Sequence, residues 1–157
     1  MTDNSISVYP SAGVFRRLAA ITYDALLLMA ISIGYYAIAV LINVLLQGAP
    51  TEGQKIEWGH WNWLVFSGWI LVLGYFFCFF WRKSGQTLGM RAWRMKLVNQ
   101  EFKLASTSQC VLRCLIAPIS LLFFGLGYFW RWLDPKQLTL HDRLSKTQMI
   151  VLPKDKN

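Results

Sequence analysis

Charge is scarce in this chain, and acid is scarcer than base: eight Asp and Glu stand against sixteen Lys and Arg, a net charge of +8 over 157 residues. Charged residues make up 15% of the sequence and hydrophobic ones 55%, whereas soluble domains carry roughly 25% charge. That balance argues against a soluble globular domain. Cysteine is limited to Cys78, Cys110 and Cys114, and histidine to His60 and His141. No Cys-x-x-Cys pair occurs and the histidines are remote in sequence, so a zinc site lacks support and the cysteines read as small packing residues. Gly85-Gln86-Thr87-Leu88-Gly89 resembles a phosphate-binding glycine loop only superficially, since no Gly-Lys-Ser/Thr ending follows it. Neither a metal nor a cofactor is expected.

The longest absence is of charge itself. Residues 25–51 are 27 consecutive uncharged positions. The apolar stretch 18–46, broken only by Asp24, is 29 residues long, more than the roughly 20 that cross about 30 Å of hydrocarbon. It is also too long for an export signal, whose apolar core runs about 7–15 residues. A second stretch, 61–81, has 21 residues without a charge and a tryptophan at each end, as the membrane–water boundary favours. A third, 114–130, has 17 uncharged residues between Arg113 and Arg131 and contains Pro118 and Gly125-x-Gly127.

These runs predict an all-α integral membrane protein forming a single domain over 1–157. Two firm transmembrane helices occupy about 18–46 and 61–81. The third apolar helical segment, about 111–133, is either a third span or a bent re-entrant hairpin of the kind membranes tolerate where protein buries the irregular backbone. The loop 82–110 holds Arg82, Lys83, Arg91, Arg94, Lys96 and Lys103 against Glu101 alone, which places it in the cytoplasm, together with the N-terminus and its Arg16 and Arg17. A bent third segment returns 134–157 to the same side. Within the loop, residues 94–100 alternate loosely, and a short strand or a hairpin around 99–103 is expected. The basic residues suit anionic headgroups, and with so little aromatic interleaving they do not suggest nucleic acid.

Asp24 is the residue that needs a reason, because a carboxylate deep in a span costs on the order of 2.5–3.5 kcal/mol. Two readings remain open. Asp24 either lies in the interface beside basic anchors, or faces a protein interior and marks a partner or an ion pathway. Arg17 shares its helix face seven residues earlier, with Cα atoms about 10 Å apart.

Three separated pieces, residues 12–24 (AGVFRRLAAITYD), 85–98 (GQTLGMRAWRMKLV) and 133–150 (LDPKQLTLHDRLSKTQMI), resemble the RDD membrane proteins, named for one arginine and two aspartates. The resemblance implies that these are Arg17, Asp24 and the Asp142 of His141-Asp142-Arg143, with Arg16 the competing arginine and His141 and Arg143 as secondary candidates. Leu88 and Lys146 stand where proline and glycine are common. The resemblance further implies a multi-pass protein of the bacterial cytoplasmic (inner) membrane, and transport, including cation/proton exchange, has been suggested for the family. One expectation is therefore a transporter or transporter component in which Asp24 alternates between proton and cation, Arg17 tunes it and Asp142 guards the cytoplasmic mouth. The other is a non-catalytic assembly or interaction factor in which the three residues form a structural polar lock. Enzymatic activity is not expected. Expected partners are the bilayer with its anionic headgroups, and a second copy or another membrane protein packing on small residues such as Ser32, Gly34, Ser67, Gly68 and Gly74.

Overall fold

A computed structural model describes residues 9–51, 55–56, 58–122, 126–135 and 138–153. Two long helices dominate it: α1, Val14–Gln47, and α2, Trp61–Lys83, about 51 and 35 Å long at 1.5 Å per residue. α1 starts one turn before the apolar stretch, so Arg16 and Arg17 are helical, and it stops at Gly48, whose φ of 88° no other residue tolerates easily. Both helices are long and apolar enough to cross a membrane.

Their burial is not that of a soluble core helix. None of the most apolar 18-residue window of α1, and 6% of that of α2, is covered by the rest of the protein. Leu45, Leu46, Trp63 and Leu71 are more than 70% exposed. Apolar surface on this scale requires another apolar phase. The two helices touch midway, where Trp69 Nε1 donates to Ser32 Oγ at 2.9 Å and the Tyr35 hydroxyl donates to the Val65 carbonyl at 2.8 Å. In α1 the buried residues are Arg17, Ala20 and Asp24, all near its first turns.

The remaining elements cap that end of the helix pair. They are α3 (Leu88–Ala92), β1 (Met95–Asn99), α4 (Thr107–Leu122), α5 (Leu126–Phe129), a 3₁₀ turn (Trp130–Trp132), α6 (Leu140–Leu144) and β2 (Thr147–Val151). β1 and β2 pair antiparallel, Met95 opposite Val151 and Asn99 opposite Thr147. The chain just before α1 joins the far edge of β2: Ala12 N–H donates to Met149 O at 2.7 Å, and Val151 N–H to Pro10 O at 3.0 Å. The last strand is thereby tied to the first helix. Gly85 makes the turn out of α2 with φ of 74°, and a Cβ there would lie 2.8 Å from the Leu97 carbonyl. Under the cap, Ala12, Ala20, Trp81, Met90, Met95, Leu97, Ala105, Cys110 and Met149 form one apolar core.

Two expectations are corrected. The architecture is mostly helical but not all-α, because the C-terminal segment supplies β1 with a partner strand. Residues 99–103 form a turn and not a hairpin: Asn99 Oδ1 accepts from the N–H groups of Glu101 and Lys103, both at 2.9 Å, which closes the loop before a second strand can begin. The third apolar segment is divided between α4, which keeps Pro118 inside it, and α5. Gly127 lies so close to Ser120 that a Cβ would overlap the Ser120 hydroxyl. One continuous helix would hold these positions about 10 Å apart, so α4 and α5 do not form one straight helix.

Candidate functional site

Asp142 is the centre of the cap. Thr139 is the N-cap of α6, and Thr139 and Asp142 form a reciprocal capping box, Asp142 N–H to Thr139 Oγ1 and Thr139 N–H to Asp142 Oδ2, both 3.4 Å. That box fixes the carboxylate, which is fully buried. Arg17 of α1 meets one oxygen at 2.6 Å, and Arg113 of α4 contacts the other. Arg17 also donates to Ala12 O at 3.0 Å and Thr139 Oγ1 at 3.2 Å. Arg113 donates to Thr147 Oγ1 at 2.9 Å, with its guanidinium 5.6 Å from the centre of the Trp81 ring. One carboxylate thus joins α1, α4, α6, β2 and the end of α2. Burial alone would push the Asp142 carboxyl up, but Arg17 and then Arg113 outweigh it and hold the group well below the usual carboxylate range.

Asp24 is bound separately. Its Oδ2 accepts the Thr87 hydroxyl at 2.5 Å, and its Oδ1 accepts the Gly89 N–H at 2.8 Å. Thr87 is itself the N-cap of α3, with its oxygen accepting Met90 N–H at 3.2 Å. The carboxylate of α1 therefore completes the capping of α3 from outside, and both of its oxygens are occupied. Gly89 is there because α3 and α1 meet backbone to backbone: a Cβ would overlap the Ala20 carbonyl oxygen and sit 2.9 Å from the Asp24 carboxyl carbon. Gly89→Ala is expected to lower stability by about 2–3 kcal/mol, since a helix backbone cannot yield as a side chain can; thermal unfolding in detergent measures it.

Arg17 and Asp24 lie on one face as their spacing requires, yet Arg17 turns to Asp142 while Asp24 turns to Thr87 and Gly89. Arg16 is half-buried and belongs to neither ion pair of Asp142. His141 is buried, with its ring 4.8 Å from that of Tyr128 and its Nδ1 unpartnered. Burial first, then the charge of Arg113, lowers its pKa from 6.5 to about 3, so it is a neutral packing residue near pH 7. Arg143 is 61% exposed and pairs with Asp134 at 2.5 Å, a tie of the 3₁₀-to-α6 connection outside the lock. Arg113, Thr87, Gly89 and Thr139 were not singled out from sequence. Arg113 was visible only as a charge flanking an apolar run, and Thr87 and Gly89 only as part of the Gly-Gln-Thr-Leu-Gly loop.

Among the described residues no three His, Cys, Asp or Glu side chains are grouped to hold a metal. Two hollows, of about 300 Å³ between the outer halves of α1 and α2 and about 340 Å³ beside Tyr23, Leu27 and Leu88, are not lined by Arg17, Asp24 or Asp142.

A pair of long exposed apolar helices, capped at one end by buried arginine–aspartate contacts, defines a membrane-type protein with an internal polar lock. The chain belongs to the RDD family, whose model matches residues 11–146. No curated protein and no solved structure matches it.

Proposed function

We propose that this protein is a non-catalytic membrane assembly or interaction factor in which Arg17, Arg113 and Asp142, with Asp24 on Thr87 and Gly89, lock a cytoplasmic cap onto a two-helix anchor. The observation that carries this reading is the saturation of both aspartates: every carboxylate oxygen accepts from a protein donor. A carboxylate exchanging a proton for a cation needs a coordination position open to water. In this reading the anchor lies in the bacterial inner membrane with both termini and the cap inside, because Arg82, Lys83, Arg91, Arg94, Lys96 and Lys103 gather on the cap side of α2. The third segment enters from that side and returns to it. The exposed faces of α1 and α2 meet lipid and a membrane partner, a second copy included, while the basic rim meets anionic headgroups.

Asp24→Asn tests the reading against transport. Losing the charge-assisted bonds to Thr87 and Gly89 is expected to cost about 2 kcal/mol and to lower the unfolding midpoint. Proton flux driven by Na⁺, K⁺ or Li⁺ gradients in proteoliposomes is expected to be absent in both forms. Flux in the wild type that vanishes in a fully folded Asp24→Asn would overturn the lock and assign Asp24 to a carrier. Reporters placed after residues 53 and 157 test the orientation; a residue-157 reporter outside would remove the cytoplasmic cap.

A further inference from the structure

The interface that holds Arg113 carries chemistry that the lock does not use. Cys78 of α2 and Cys114 of α4 face each other with their sulfurs 3.7 Å apart. Both are half-buried, and Cys110 lies fully buried one turn earlier on α4. Arg113 directly precedes Cys114, and Trp81, which receives its guanidinium, is three residues after Cys78. The thiol pair and the Arg113–Trp81 contact are therefore neighbouring rungs of one interface.

We propose that Cys78 and Cys114 form a reversible disulfide that staples α2 to α4 and governs how firmly Arg113 is held on Asp142. Sulfurs at 3.7 Å are in contact and need close by only about 1.7 Å to bond. They come from different helices, α2 and α4, which are otherwise joined by the contact of Cys114 Sγ with the Gly74 carbonyl at 3.9 Å and by the Arg113–Trp81 contact. A disulfide is uncharged, and apolar surroundings impose no charge penalty on it. The oxidant is hydrogen peroxide, which is small and neutral enough to reach a half-buried thiol. One cysteine sulfur attacks a peroxide oxygen, breaking the O–O bond and giving a sulfenic acid and water. The sulfur of the second cysteine then displaces that hydroxyl, forming the S–S bond and a second water. Two thiols and one peroxide become one disulfide and two waters; the sulfurs lose two electrons and two protons. A thiol reductant reverses the bond.

The consequence for Arg113 rests on the lock reading, whereas the bond itself is detected independently of it. The test treats the intact chain in lipid vesicles with hydrogen peroxide, then denatures and alkylates it. Wild type is expected to retain one alkylatable thiol, Cys110, with the peptides of Cys78 and Cys114 linked and a mass lower by two hydrogen atoms. Cys110→Ser should form the same bond, while Cys78→Ser and Cys114→Ser should not. Three free thiols after an exposure that fully oxidises dithiothreitol in the same sample, or a bond that runs through Cys110, would overturn the proposal. Trypsin cleavage at the exposed Lys146 between α6 and β2 reads the coupling: it is expected to slow a few-fold on oxidation and recover on reduction. Unchanged cleavage of the bonded form would refute control of Arg113 while leaving the disulfide, and the lock, standing.

Discussion

Asp142→Ala is expected to abolish accumulation of the folded protein, or to lower its stability by at least about 3–5 kcal/mol, the usual cost of orphaning one buried charge. Here one truncation orphans two. Arg17 and Arg113 are 2–3% exposed at the side chain, and truncation leaves both guanidinium groups buried without their carboxylate. The capping box of α6 is lost with them. Total stabilities of about 5–15 kcal/mol leave little after such a loss. The matched control is Glu101→Ala, which breaks a pair that is 69–75% exposed and should change stability by less than about 0.5 kcal/mol. A triple replacement of Arg17, Arg113 and Asp142 by methionine, methionine and leucine should regain much of the loss, since a buried ion cluster is often matched by apolar packing. Unfolding in detergent, with partner recovery from membranes beside it, reads all three. A triple variant that folds yet fails to recover a membrane partner that the wild type recovers would mean that the lock shapes a binding surface as well as the cap. An Asp142→Ala as stable as the wild type would dispose of the lock.

The two long apolar helices were legible because their signal is local. A run without charge, a tryptophan at each boundary and a glycine at the stop are all written within one segment, and α1 and α2 follow them to within a few residues. The site was legible by halves. Asp24 stood out as a charge in an apolar run, and Asp142 was marked only by the family resemblance. What binds Asp24 was hidden, because Thr87 and Gly89 lie 63 and 65 residues away and neither residue type is unusual in a loop. Helical periodicity relates residues on one element, so it paired Arg17 with Asp24 and had no means of finding Arg113. The alternation at 94–100 pointed to β1, but its pairing was missed for the same reason, because the partner strand begins on the far side of α4 and α6. That α4 and α5 do not continue as one helix was left open by the sequence, because Pro118 sits inside α4 and length alone permitted a straight span.

Acid should open the cap before it affects the anchor, and His141 sets where this begins. Its pKa is about 3 when folded against 6.5 as an ordinary histidine, so below about pH 6.5 the unfolded chain binds a proton that the folded chain refuses. Stability is fully present above 6.5 and falls as pH drops, by about 1.4 kcal/mol per unit for one proton, until the folded group titrates near 3. Asp142, held below its ordinary 3.8, acts with the same sign at lower pH: its contribution is complete above 3.8 and is lost beneath it. Between pH 6 and 4 His141 contributes a slope of this sign. His141→Phe keeps a flat ring against Tyr128 and removes the titration, and the unpartnered Nδ1 means that no hydrogen bond at that atom is sacrificed. Thermal midpoints across this range should decline more steeply in the wild type than in His141→Phe, with equal or higher stability in the variant at pH 7. A parallel decline in both would place the acid sensitivity elsewhere and free His141 from the neutral, buried role its surroundings give it.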